Sequence, residues 1–342
     1  MGVFLLSWKQ TNILAELYIA FLTFSLVGSF SVLVVSIVKW RHLRHQVHLL
    51  VQLTLADLLA SGILMSTSVM NKVNVKTEIG FICRYSLPLS LTFYLISFLL
   101  VVVYAWNSKN AIQGWRERAP DDEKRQTKCK KIFVETPFCF LVWLIPIALY
   151  CAYAIFLTQE KISQNDSANS SCILFLTLWN NSYSGPGTYE KTMEKVRNDF
   201  IEIVLPIVLI SVISSCSFIY YKVGRWYEER TYVGFFPVEG DGLSRRQFRR
   251  GISTARNMVL VIIICWVPAL AVILLSVTTL KIEQTKLFPL YCIQAITVSL
   301  QGFLNSMVYA WKRPNFTEVV LGESTPLVGY SQKAFFEESL KS

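Results

Sequence analysis

The stretch Leu53-Thr54-Leu55-Ala56-Asp57-Leu58-Leu59 decides how this chain is read. Asp57 stands near the middle of an apolar run from about Val47 to Val69, and the nearest Lys or Arg residues are Arg44 and Lys72. A run of that length approaches or exceeds the roughly 20 apolar residues that carry a helix across a bilayer. A carboxylate at mid-depth costs about 2.5–3.5 kcal/mol on insertion scales, so it turns toward the protein interior and finds partners there. Such a residue marks a functional site by default. The competing reading is a protonated or hydrogen-bonded aspartate that only glues helices together.

The rest of the chain extends the membrane reading. Of 342 residues, 53% are hydrophobic and only 16% charged, too apolar a balance for a soluble globule. Seven stretches are long and apolar enough to span: 13–38, 47–70, 81–106, 132–157, 200–221, 258–280 and 287–311. The expectation is an all-α membrane protein, a seven-transmembrane helix bundle over 13–311. A short extracellular N-terminus, 1–12, precedes it and a cytoplasmic tail, 312–342, follows. Pro88, Pro146, Pro206 and Pro268 fall inside spans, where neighbouring groups satisfy the carbonyls that proline frees. The N-terminus lacks a basic start and a small-residue cleavage site, so the first span is expected to act as the targeting signal.

A net charge of +10 can signal nucleic acid, but here the basic residues sit in loops between apolar spans. Most of the 33 Lys and Arg fall in 39–46, 107–131, 222–256 and the tail, which assigns that side to the cytoplasm and the N-terminus to the outside. Lipid headgroups, or an acidic cytoplasmic partner, suit these loops better than nucleic acid does. The opposite loop, 158–198, carries glycosylation sequons at Asn165, Asn169 and Asn180, while Asn315 falls on the inner side. This topology puts Cys83 and Cys172 at the oxidising face and predicts a Cys83–Cys172 disulfide.

Several motifs coincide. They are the Leu-Ala-Asp57 of span two, Cys83 at the outer end of span three and the loop Cys172. Further along come Pro206 in span five, Cys265-Trp266-Val267-Pro268 in span six and Asn305-Ser306-Met307-Val308-Tyr309 in span seven. Together they resemble the rhodopsin-like (class A) G-protein-coupled receptors over about residues 13–318. The resemblance implies an outer-pocket ligand, a G-protein partner, a plasma-membrane location and a bundle whose sixth helix moves about Pro268. It makes Trp266, Pro268 and Tyr309 switch residues and puts a short amphipathic helix near Phe316. It also implies that Asp57, Ser97 and Asn305, beside Trp266, hold a sodium ion, a hard cation suited to oxygen donors.

The departures bear on function. Span three ends in Asn107-Ser108-Lys109 where the family carries Asp-Arg-Tyr, and Ser306 replaces the proline of the span-seven motif. Ser90 stands where amine receptors carry an aspartate and Ser299 where light receptors carry a lysine, which argues against both ligand classes. Asp199 and Glu202 are candidate ligand contacts at the outer end of span five, or simply acids at a helix N-terminus.

Three rival functions follow. A zinc hydrolase would need ligands spread around one site, yet the 3 histidines, His42, His45 and His48, share one basic segment, so no enzyme is expected. A transporter or channel would want several intramembrane charges or repeated halves, and one mid-depth acid makes no path. The strongest alternative keeps the receptor fold without G-protein coupling, as a scaffold or trafficking partner.

Overall fold

The computed structural model describes residues 6–38, 47–73, 79–114, 140–155, 173–174, 205–219, 221–222, 225, 242–277 and 284–312. Among them are helices, turns and no strand. In chain order the helices are α1 (Trp8–Val38), α2 (Val47–Val73), α3 (Ile79–Gly114), α4 (Phe140–Ile155), α5 (Leu205–Ile219), α6 (Gly242–Val277), α7 (Gln284–Ser299) and α8 (Gln301–Lys312). Within α1, α2, α3 and α6, the stretches Trp8–Val38, His48–Val73, Tyr85–Asn107 and Arg256–Leu275 are long and apolar enough to cross a membrane. The pair α7 and α8, bent by 41° at Leu300, makes a fifth candidate span. Helices α4 and α5 are apolar but shorter in their described parts.

The surface chemistry is that of a protein in lipid. On α1, Ser25, Ser29 and Ser36 are buried, while Phe24 is 56% and Phe30 58% exposed. Burial of small polar residues with large apolar ones outside inverts the soluble pattern and suits helices that associate through close backbone approach. Val27, Val34 and Ile37 continue the exposed face at helical spacing.

Four boundaries differ from the expected ones, and one is the end of α3, which runs on to Gly114 rather than stopping at 106. Helix α1 begins before residue 13 because Ser7-Trp8-Lys9-Gln10 is a capping box. Gln10 N donates to Ser7 Oγ at 3.4 Å and Ser7 N donates to Gln10 Oε1 at 2.9 Å. The stretch expected as one straight seventh span is two helices. Leu300 N still donates to Ile296 O (3.1 Å) and Leu304 N to Leu300 O (2.9 Å), so hydrogen bonding runs through a bend flanked by Ser299 and Gly302. Residues 242–256, expected as part of a loop, belong instead to α6, which runs unbroken to Val277.

Pairwise contacts fix the helix directions. Lys72 Nζ lies 3.2 Å from Glu16 Oε1, joining the start of α1 to the end of α2. Ser90 Oγ donates to the Ala60 carbonyl (3.0 Å) and Ser97 Oγ to Asp57 Oδ1 (2.8 Å), so α3 runs antiparallel to α2. Gln294 Nε2 donates to Tyr18 OH (2.7 Å) and Phe303 meets Phe24 edge-on, so α7 and α8 run parallel to α1. Helix α6 packs on α3, α7 and α8, and the link 278–283 is too short to run the length of the bundle. The C-terminal ends of α1, α3 and α8 and the N-terminal ends of α2 and α6 therefore share one end.

The α1–α8 seam is tight. A Cβ on Gly302 would collide with Ser25 Oγ and stand 2.8 Å from Ser29 Oγ and 3.5 Å from Asp57 Cβ. Gly62 on α2 has only Leu26 Cδ2, at 3.9 Å, near the same point. Gly62→Ala is therefore expected to be neutral or stabilising by up to about 1 kcal/mol, from helix propensity alone. Gly302→Ala should destabilise by about 1–3 kcal/mol through overpacking. Thermal unfolding of the purified variants in detergent compares the two, and equal melting temperatures would refute the tight seam.

Candidate functional site: a buried carboxylate joining helices α2, α3, α6 and α8

Helix α2 buries Leu50, Leu53, Thr54, Asp57, Ala60, Ser61 and Leu64, a spacing of three and four that makes one inward stripe. Asp57 occupies the middle of that stripe and is 1% exposed. On α3 the inward positions include Ser90, Tyr94, Ser97, Val101 and Ala105 at the same spacing. On α8, Gln301 and Asn305 are one turn apart and project from one face.

These stripes converge on the carboxylate. Asp57 Oδ1 accepts from Ser97 Oγ at 2.8 Å and from Gln301 Nε2 at 3.3 Å. Asp57 Oδ2 accepts from Asn305 Nδ2 at 2.7 Å. Gln301 Nε2 is also 3.3 Å from Ser97 Oγ, so the amide is shared. The other end of Gln301 reaches α6, where its Oε1 accepts from Trp266 Nε1. Trp266 is wedged edge-on between Tyr94 (5.2 Å between ring centroids) and Phe98 (5.1 Å) of α3. Hydrogen bonds to an ionised carboxylate are roughly twice as strong as neutral ones, so this cluster ties four helices together.

The electrostatic balance of the site is incomplete. Among the described residues no Lys, Arg or His pairs with Asp57. Asn305 Oδ1 and Ser29 Oγ are buried oxygens with no protein partner. Ser29 and Asp57 flank the same point above Gly302. An oxygen-lined pocket holding one full negative charge suits a proton or a hard monovalent cation.

The structure brings Asp57, Ser97 and Asn305 into direct contact, and it connects Trp266 to them through Gln301 rather than directly. Sequence reading missed Gln301. Its signal was the four-residue spacing from Asn305, which puts both amides on the carboxylate-facing side. Pro268 lies within α6, two residues after Trp266. Tyr309 is placed in helix α8 by its backbone alone. Cys83, near the start of α3, is disulfide-bonded. Cys172, Asn165, Asn169, Asn180, Asn315, Asp199 and Glu202 lie outside the described residues. Of the histidines, His48 is on α2 with its Nδ1 3.0 Å from Gln52 Nε2, and His42 and His45 lie outside the described residues. Among the described residues no cluster of His, Cys, Asp and Glu could hold a transition metal.

Multiple apolar helices, an inside-out surface and a polar knot at mid-bundle describe a multi-pass membrane protein. The family model for transmembrane protein 116 matches residues 12–333, from the first turns of α1 to well beyond α8, and the chain belongs to that family.

Proposed function

We propose that this chain is a receptor-like protein of the rhodopsin type, with seven spans, its N-terminus outside and a place in the plasma membrane. The carrying observation is the Asp57 cluster, which links α2, α3 and α8 through one carboxylate and reaches α6 through Gln301 and Trp266. A ligand in an outer pocket would act by shifting α6 about Pro268 against this cluster, a two-state change of helix packing. Such a protein is a transducer rather than an enzyme. In this reading Cys83 pairs with Cys172, a pairing supported by Ile173 and Leu174, which are buried in the core immediately after it. Glycans then sit on Asn165, Asn169 or Asn180 and not on Asn315. Endoglycosidase treatment of single Asn→Gln variants should remove a mobility shift at one or more of the first group; a shift lost only in Asn315→Gln would invert the orientation.

The resemblance implies sodium at Asp57, and the oxygens fit it. Asp57, Ser97 and Asn305 would hold the ion, which supplies the positive charge that the described protein groups do not. Asn305 would contribute through the Oδ1 that lacks a protein partner. Binding to the folded state alone raises stability by mass action. The protein should therefore melt at a higher temperature in sodium than in potassium at equal ionic strength, and Asp57→Asn should abolish the difference. Equal melting in both salts would favour the helix-glue role for Asp57.

The second reading, a receptor fold that serves as a scaffold or trafficking partner, is favoured by Asn107-Ser108-Lys109. Helix α3 continues through these residues to Gly114, so the missing Asp-Arg pair is not displaced by an early helix end. Lys109 is about 100° round the helix from Ser108 and has no planar fork of donors. The expected result is weak or no nucleotide exchange on a panel of purified heterotrimeric G proteins, with the Asn107→Asp/Ser108→Arg variant run alongside. Robust exchange by the unmodified protein, unchanged in the variant, would reject the scaffold reading.

A further inference from the structure

Helix α6 is much longer than a bilayer needs. Its apolar span is Arg256–Leu275, yet the helix begins at Gly242. At about 1.5 Å per residue the part before Arg256 extends the rod by about 21 Å. The headgroup layer on each face of a bilayer is only about 5–8 Å thick. The extension, Gly242-Leu243-Ser244-Arg245-Arg246-Gln247-Phe248-Arg249-Arg250-Gly251-Ile252-Ser253-Thr254-Ala255, therefore crosses that layer and continues beyond it.

Its register is one-sided. At about 100° per residue, Arg245, Arg249 and Arg256 fall within about 40° of one another, and Arg246 and Arg250 follow at about 100–140° on the same arc. Phe248 and Ala255 fall on the remaining side, and Ile252 stands at the edge of the arginine arc, about 20° from Arg245. No acidic residue occurs anywhere from Gly242 to Val277, so the arginines have no intrahelical partner of opposite charge. Arg256, at the apolar boundary, is exposed.

We propose that this extension of α6 is a binding ridge for anionic lipid headgroups in the adjoining leaflet. Charge complementarity and position both select lipid as the occupant. Arginine is the residue type that grips phosphate oxygens in pairs. The ridge also starts at Arg256, where the helix leaves the hydrocarbon, and Arg249 and Arg250 follow just past the headgroup layer, within about one Debye length of it. Clusters of Lys and Arg next to a spanning helix bind acidic lipids by this logic. The proposal rests on the multi-pass membrane assignment and is independent of receptor activity.

Depth along the rod makes the proposal specific. Arg249 and Arg250 lie about 9–11 Å from Arg256 along the axis, close to one Debye length of about 8–10 Å, whereas Arg245 and Arg246 lie about 15–17 Å away. A membrane surface therefore predicts graded effects, the inner pair outweighing the outer. An acidic protein docked along the ridge predicts comparable effects from both pairs.

The test uses the full chain purified in neutral detergent, with equimolar phosphatidylserine and phosphatidylcholine added and retained lipid counted by native mass spectrometry. The unmodified protein should retain phosphatidylserine in preference. Arg249→Gln/Arg250→Gln should reduce that preference by about five-fold or more, Arg245→Gln/Arg246→Gln by clearly less, and the loop control Lys124→Gln/Arg125→Gln least. A melting curve for each variant verifies folding, and single substitutions replace any pair that fails to fold. No preference for phosphatidylserine, an equal loss from the outer pair, or an equal loss from the loop control would each overturn the ridge.

Discussion

A carboxylate removed from water must be compensated, and the interior of this bundle is arranged around that requirement at Asp57. Leaving a buried charged group unsatisfied costs several kcal/mol, more than most single contacts contribute. Three donors from two other helices meet it: the hydroxyl of Ser97 and the amides of Gln301 and Asn305. Each donor fixes the rotation of its helix, because a turn of one residue would swing the donor about 100° away. Asp57 therefore sets the relative register of α2, α3 and α8 more sharply than apolar contacts do, which tolerate sliding.

Helix α8 is constrained from its other side as well. Gly302 follows Gln301 directly, and its missing side chain lets α1 approach through Ser25 and Ser29. Gly28 answers from α1, where an added Cβ would stand 3.2 Å from Phe303 Cδ2. One turn of α8 thus meets the carboxylate with an amide and α1 with bare backbone. The bend at Leu300 lies immediately before that turn. A straight continuation of α7 would aim α8 differently, so the bend and the seam are parts of one local solution.

The parts readable from sequence are those where a single residue type contradicts its surroundings. One aspartate in an apolar run announces itself, and Ser97 and Asn305 followed from the receptor resemblance once Asp57 and Cys83 anchored the count. Gln301 did not, because a glutamine near the middle of an apolar stretch reads as tolerated polarity until the four-residue partner at Asn305 is considered. The extension of α6 was hidden for a different reason. Hydropathy falls at Arg256, and a fall in hydropathy marks the end of the bilayer, not the end of the helix. The early start of α1 at Trp8 was carried by side-chain capping, which leaves no trace in hydropathy.

These constraints are unequal, and the inequality bears on how the proposed switch would work. Helices α2, α3 and α8 share the carboxylate itself. Helix α6 joins the cluster at one remove, through the bond from Trp266 to Gln301, and otherwise meets α3 through ring edges at Tyr94 and Phe98. Edge-on aromatic contacts contribute about 0.5–1.5 kcal/mol each beyond burial and survive small rotations better than a hydrogen bond does. Helix α6 also contains Pro268, which removes a backbone hydrogen bond close to Trp266. Of the four helices at the cluster, the one least tied to the carboxylate thus carries a proline beside its own link to it, and it is also the one whose rod runs farthest past the hydrocarbon. A tilt about Pro268 moves the distant end near Arg245 more than it moves Trp266, in proportion to distance from the pivot. Anionic headgroups held at Arg249 and Arg250, farther from that pivot than Trp266, would resist the tilt over a longer lever arm than the cluster has, so lipid composition would bias the two-state equilibrium without any contact at Asp57.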